Sequence, residues 1–511
     1  MNTKLRRQLR NRKRRLLKRI DKVQGEFRTP MINPPAVKYE LAEKLQAISC
    51  GGIGMIMQMV KQLDLRKQIN QAVPLFKLHS PYDEADHVLN IALNLLAGGT
   101  CLEHLELRRN DEAYLDAVGA VRIPDPTTAG DFCRRFSETQ LLFLMQAINR
   151  VRQTVWKQQP DEFFNRATID ADGTMVETHG EKKQGIGINY KGQWGYHPLV
   201  LTLAQTQEML YLANRPGNRP SHEGVAFYYN LAIKQCRKAG FRQILLRGDT
   251  DFALTENFDR WHDDGVHFLF GIDAMSKLVR LAEALESSSW KPLRRDRPTA
   301  ERKRRARRPN HKEQVVEENG YQNQRLKGED LAEFDYQPGK CSRPYRVVVV
   351  RKNIDVKQGQ KLLFENIRYF FYITNLPRRE RPRQIVRTAN ARCDQENSIS
   401  QLKASHALAA PLDNLVSNWA YMLIASLAWT LKLWSGLMIR NHGRKEQREE
   451  QARWRQRVVR MEFATYCNAV IQIPAAIIRS SRRLVYRLLS YRPSADALLL
   501  MHDHINRPLR C

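Results

Sequence analysis

The stretch Ala167-Thr168-Ile169-Asp170-Ala171-Asp172, running into Gly173-Thr174, decides how this chain is read. It has the make-up of a short strand, and it ends on two carboxylates that share a face because strand side chains repeat every second residue. Beyond a glycine-rich stretch (Gly180, Gly185, Gly187, Gly192, Gly195), Leu199-Val-Leu-Thr-Leu-Ala204 and Met209-Leu-Tyr-Leu-Ala213 are joined by a tight polar turn. Three consecutive strands predict an antiparallel meander. Ser221 is placed to cap a helix reaching about Lys238, and Ile244-Leu-Leu246 predicts a buried strand ending at Arg247-Gly248-Asp249. A helix over about 253–263 then precedes the strand His267-Phe-Leu-Phe270. The order is βββαβαβ, with a long helix much later.

That order is the ribonuclease-H-like arrangement, an α/β fold in which a mixed sheet is flanked by helices and polar residues gather at strand ends. Its first and fourth strands are neighbours, so Asp172 and Asp249 face one another although 77 residues separate them. Asp172 lies nearer the strand's mouth and is preferred, with Asp170 as the alternate first-strand ligand. Asp249 directly follows its apolar run and is preferred to Asp251. The third carboxylate is Glu396 in Arg392-Cys-Asp-Gln-Glu396-Asn-Ser-Ile-Ser-Gln-Leu-Lys403, where spacings of four and seven put Arg392, Glu396 and Lys403 on one helix face. Alone, such a set is usually a salt-bridged exposed face.

Together the three acids suit phosphodiester chemistry, which needs an attacking oxygen, a stabilised leaving oxygen and neutralised charge at phosphorus. Two Mg²⁺ ions about 3.5–4 Å apart supply all three, with Mn²⁺ as a substitute, and hard cations take oxygen ligands. Asp172, Asp249 and Glu396 are therefore the candidate catalytic and metal-binding residues. Arg392 and Lys403 are candidate grips on neighbouring phosphates.

The wider chain agrees. Of 511 residues, 84 are Lys or Arg against 54 Asp or Glu, a net charge of +30 that favours a polyanionic partner over a small acidic one. No uninterrupted apolar run reaches the roughly 18–20 residues of a membrane span, and the charged first 24 residues lack the apolar segment of a signal peptide. A cytoplasmic protein without membrane contact is expected. Eight scattered cysteines form no zinc spacing. The glycines from 180 to 195 read as a loop, and without a Walker or GxGxxG unit no nucleotide cofactor is expected.

The expected organisation is a basic arm (1–39), an all-helical DNA-binding domain (40–160), a first core segment (161–274), a β-rich insertion (275–385), core helices carrying the third carboxylate (386–440) and a basic C-terminal region (441–511). Pro124-Asp-Pro-Thr-Thr128 marks a helix start, and Pro411 a helix break. The insertion holds two strand candidates, 345–350 and 369–374, and a basic run in which Arg302, Lys303, Arg304 and Arg305 are candidate DNA contacts.

Asp172-Gly-Thr174, Leu246-Arg-Gly-Asp249-Thr-Asp-Phe252 and Arg392-x3-Glu396-x6-Lys403 resemble the DDE transposases of bacterial insertion sequences, specifically the insertion sequence 1380 family. Glu396-Asn-Ser-Ile-x-x-Leu-Lys403 and Ile478-Arg-Ser-Ser-Arg-Arg483 are similar to that family too, so the resemblance spans about 40–490. A tyrosine usually stands three residues before the motif's arginine, and position 389 here is Ala. The resemblance implies an enzyme that binds the terminal inverted repeats of an element, frees a 3′-hydroxyl by hydrolysis and joins it to target DNA, within a homodimer or larger synaptic complex on double-stranded DNA. The alternative is a catalytically inactive, domesticated transposase-derived DNA binder, which predicts a lost carboxylate.

Overall fold

The computed structural model describes residues 3–21, 39, 46–77, 81–293, 325–357, 360–480, 483–489 and 491–510. The basic run Arg302–Arg305 lies outside them. In chain order the strands are β1 (Gln46–Ile48), β2 (Arg166–Gly173), β3 (Val176–Glu177), β4 (Gly187–Ile188), β5 (Trp194–Tyr196), β6 (Leu199–Leu203), β7 (Glu208–Ala213), β8 (Gln243–Gly248) and β9 (His267–Ile272). They continue with β10 (Lys291–Pro292), β11 (Arg325–Tyr336), β12 (Tyr345–Lys357), β13 (Gln360–Thr374), β14 (Ala475–Ser480) and β15 (Arg483–Leu488).

Nine of these build one mixed sheet in the order β10-β11-β12-β13-β9-β8-β2-β6-β7. The β2–β8 and β8–β9 pairs are parallel and all the others antiparallel. β2, β6 and β7 form the expected meander. The helix Val225–Lys238 precedes β8, and the short helix Phe258–Asp263 precedes β9. The strands expected around 345–350 and 369–374 are the first half of the long β12 and the closing residues of the long β13, and β13 pairs with β9, so they widen the core sheet itself.

The helix Leu415–Leu437 explains its all-round apolar sequence by its place. It packs on β7 and on the helices Glu84–Leu96 and Glu138–Trp156, burying all sides. Asn414 caps it, after the break that Pro411 predicts, and its Trp419 and Trp429 indoles donate to the Leu212 and Gln207 carbonyls at 2.7 and 3.0 Å. The amino-terminal helices and one side of the sheet thus share a hydrophobic core, while Leu245, Leu269, Val348 and Val350 belong to a second, smaller cluster with Ile385 and Val386.

Three local expectations are corrected. Residues 46–160 are not wholly helical, because β1 pairs with β14 in a sheet ordered β1-β14-β15. Ser221 does not cap the next helix. Gly224, at φ +77°, does the turning that a side chain would resist, and the Arg215 guanidinium ties down the turn before it through the Pro220, Ser221 and Glu223 carbonyls. Finally, the glycine-rich stretch contains the small sheet β3-β5-β4, whose two- and three-residue strands are too short to leave a periodic signal. The Pro126–Arg134 helix begins where expected, capped by Asp125. Residues Thr3–Asp21 of the basic arm form a helix. No described helix is long and apolar enough to cross a membrane.

A candidate carboxylate site at the sheet edge

β2 and β8 run parallel in a fixed register, with Arg166 opposite Gln243 and Asp170 opposite Arg247. Two residues further on, the same offset sets Asp172 level with Asp249, the residue that follows β8 and accepts a hydrogen bond from the Asp251 amide at 3.2 Å. The third acid arrives on the helix Cys393–Ala404. Gln395 pins that helix to the sheet by donating to the carbonyls of Asp170 (3.3 Å) and Val200 (2.9 Å). Its neighbour Glu396 therefore faces outward at the strand ends.

One guanidinium gathers the three. Arg392 Nη1 lies 3.2 Å from Asp172 Oδ2 and 4.0 Å from Asp249 Oδ2, and Nη2 lies 3.1 Å from Glu396 Oε1. Side-chain exposure rises from 16% at Asp172 through 38% at Asp249 to 58% at Glu396, so the cluster is closed at its floor and open at its mouth. Burial pushes the Asp172 carboxyl up to about 6. The Arg392 charge opposes this, and Asp249 and Glu396 add to it. Asp249 is raised for the same leading reason. For Arg392, burial pulls the guanidinium down, but the three carboxylates outweigh it and the net direction is upward.

Asp170 is placed differently. Its carboxylate takes two hydrogen bonds of 2.6 Å from Arg247 and does not join the cluster. Strand periodicity alone left both aspartates open. The register, which sets Asp170 against Arg247, separates them. Lys403 reaches the same sheet edge, where its Nζ donates to the Met175 carbonyl at 2.7 Å. Sequence reasoning gave Gln395 no role and set His197 aside as a structural histidine. The only sign of Gln395 is a polar residue on the inward face of a core helix. His197 fills the space beside Gly173, where an added Cβ would meet its ring at 2.8 Å.

Divalent cations prefer hard oxygen donors. The donor set fits such an ion in kind, because three carboxylates already surround a cationic group. Among the described residues, however, no group of three or more His, Cys, Asp or Glu is drawn together closely enough to hold a metal ion. The acids would have to close inward, with Arg392 moving aside.

An acidic trio at the edge of a mixed α/β sheet, in a strongly basic chain, defines a class of candidate phosphoryl-transfer proteins. Residues 44–509 match the family described as Transposase DDE domain group 1, and the chain belongs to that family of DDE transposases. A search of curated proteins returned no match. Among solved structures, the piggyBac transposase synaptic complex with hairpin DNA, determined by cryo-EM, is a distant likeness. It has 9% identity and a TM-score of 0.37, with 82% of this chain and 83% of that one covered.

Proposed function

We propose that this chain is a DNA transposase of the insertion sequence 1380 type. In this reading a ribonuclease-H-like core cleaves the 3′ ends of an element and joins them to target DNA. The observation that carries the proposal is the meeting of Asp172, Asp249 and Glu396, from two strands and a helix far apart in the chain, around one guanidinium.

Asp172, Asp249 and Glu396 would hold Mg²⁺, or Mn²⁺ in its place. When bound, the metal supplies charge neutralisation at phosphorus and activation of the attacking oxygen. The chain's own groups do the rest. Arg392 and Lys403 orient the phosphates beside the scissile bond, and the buried floor at Asp172 keeps that end of the site dry. Hydrolysis and strand transfer differ only in which oxygen attacks in line, so one site serves both. The net charge of +30 supports binding to duplex DNA at element ends and target. We place the contacts to the terminal repeats on residues 40–160 with the flanking basic arm, and the working form is a homodimer or larger synaptic assembly in the bacterial cytoplasm. All three carboxylates are present, which favours an active enzyme over a domesticated DNA binder.

The test incubates the protein and Mg²⁺ or Mn²⁺ with a labelled duplex carrying the element's end. Asp249→Ala and Glu396→Ala should each lower cleavage by orders of magnitude while leaving DNA binding largely intact. Wild-type cleavage in either variant overturns the assignment.

A further inference from the structure

Arg392 occupies the place that the acids of a metal site would give to a cation. Its guanidinium touches one oxygen of Asp172 and one of Glu396 and reaches Asp249 at 4.0 Å. Three negative charges thus face one positive charge, which leaves the cluster short by the charge that a divalent ion would bring. The arginine and the ion cannot both have these oxygens. A guanidinium within about 4 Å of each carboxylate repels a second cation strongly in a partly desolvated setting.

The guanidinium also has somewhere to go. Arg392 lines a pocket of about 390 Å³ beside Asp249, together with Asp273, Tyr372 and Asn390. It sits at the very start of its helix, so its side chain can swing without disturbing the Gln395 anchors inside. A phosphate is the ligand best suited to draw it away, because a planar guanidinium pairs with phosphate oxygens through two parallel hydrogen bonds.

We propose that Arg392 is a resident counter-cation. In the DNA-free protein it holds Asp172, Asp249 and Glu396 together and keeps divalent metal out, and a DNA phosphate releases those carboxylates by taking the guanidinium for itself. Metal loading is then coupled to DNA binding, and the site becomes competent only on its substrate. Arg392 acts here as a positioning residue, through the carboxylates. This inference rests on the reading of the three acids as metal ligands.

The experiment measures Mn²⁺ binding to the full chain by calorimetry and by the electron-spin resonance of free Mn²⁺. It is run with and without a duplex already ending at the cleavage point, so that no hydrolysis intervenes. Wild type should bind Mn²⁺ about tenfold or more tightly with the duplex than without it, a size ordinary for coupled sites. Without DNA, Arg392→Gln should bind Mn²⁺ about tenfold more tightly than wild type, and its gain on adding DNA should shrink. Arg392→Lys, which keeps the charge, should stay close to wild type without DNA, and melting curves taken in chelator check that both variants are folded. DNA-free Mn²⁺ affinity in Arg392→Gln that equals or falls below wild type overturns the proposal, as does wild-type affinity indifferent to DNA. If wild type fails to bind Mn²⁺ even with the duplex, and Glu396→Gln changes nothing, the metal-site reading beneath it falls as well.

Discussion

Asp170 and Arg247 close on each other across the parallel β2–β8 pair through two hydrogen bonds of 2.6 Å, with 1% and 5% of their side chains exposed. Two residues along the same strand, Asp172 stands in the open cluster. The pair therefore ties the two strands together directly behind the site. Removing one partner of a buried ion pair strands the other charge, at a typical cost of about 3–5 kcal/mol. Asp170→Ala should lower stability by that amount in denaturant melts, and any activity it loses should track the loss of folded protein.

Asp172 should respond in the opposite sense. Its folded pKa, about 6, lies above the ordinary value of 3.8, so the folded state binds this proton more tightly than the unfolded state does. The group therefore costs stability as pH rises from about 4 to about 6, and the cost stays in force above that. In chelator, Asp172→Asn should raise stability at pH 8 by about 1–3 kcal/mol, at roughly 1.4 kcal/mol per pH unit, and change little at pH 4. Parallel melts at the two pH values check this. An equal effect at both would remove the electrostatic explanation.

Glu208 is the polar hub of the shared core. It accepts hydrogen bonds from Arg152 Nε (3.1 Å), Trp156 Nε1 (2.8 Å), Trp434 Nε1 (2.8 Å) and Thr206 Oγ1 (2.8 Å), joining β7 to two helices. Glu208→Gln leaves the buried Arg152 charge without its counter-charge. The expected loss is about 3–5 kcal/mol, read as a lower denaturation midpoint.

Acid should find a weak point at His87, which stacks on Phe132 with ring centres 4.5 Å apart. Burial depresses its pKa to about 4, so the ring is neutral in the fold and charges readily once unfolded. Its contribution is complete above about pH 6.5 and is lost as pH falls from there towards 4. His87→Phe keeps the stack without a titrating group and should flatten this part of the stability–pH curve. A curve as steep as that of wild type would assign the acid sensitivity elsewhere.

The two strands β2 and β8 were readable because each combined an apolar run with a carboxylate at its end, whereas the register offset that matches the spacing of Asp172 and Asp249 is visible only in the folded sheet. Helical spacing put Glu396 on one face with Arg392, and the helix Cys393–Ala404 carries it there. The central position of Arg392 could not be read in this way, since spacing tells which face a side chain takes and not which of several acids it meets. Nor could β1, a three-residue strand whose partner Ala475–Ile477 lies at the far end of the chain. Such pairings depend on tertiary packing and leave no local trace. Gly224 displaced Ser221 as the helix start because left-handed backbone geometry is a property of the turn, which a list of good capping residues does not contain.

The β1–β14–β15 sheet also bears on how the protein is made. On a ribosome, Gln46–Ile48 must wait for roughly four hundred further residues before its partner emerges, and such distant pairings form late and leave apolar surface bare in the meantime. A polypeptide cut short just after Glu396 would already hold every acid of the proposed site, yet it would lack both the strand that pairs with β1 and the apolar helix at the heart of the core. Such a shortened chain would carry the three acids without the packing that sets them against one another.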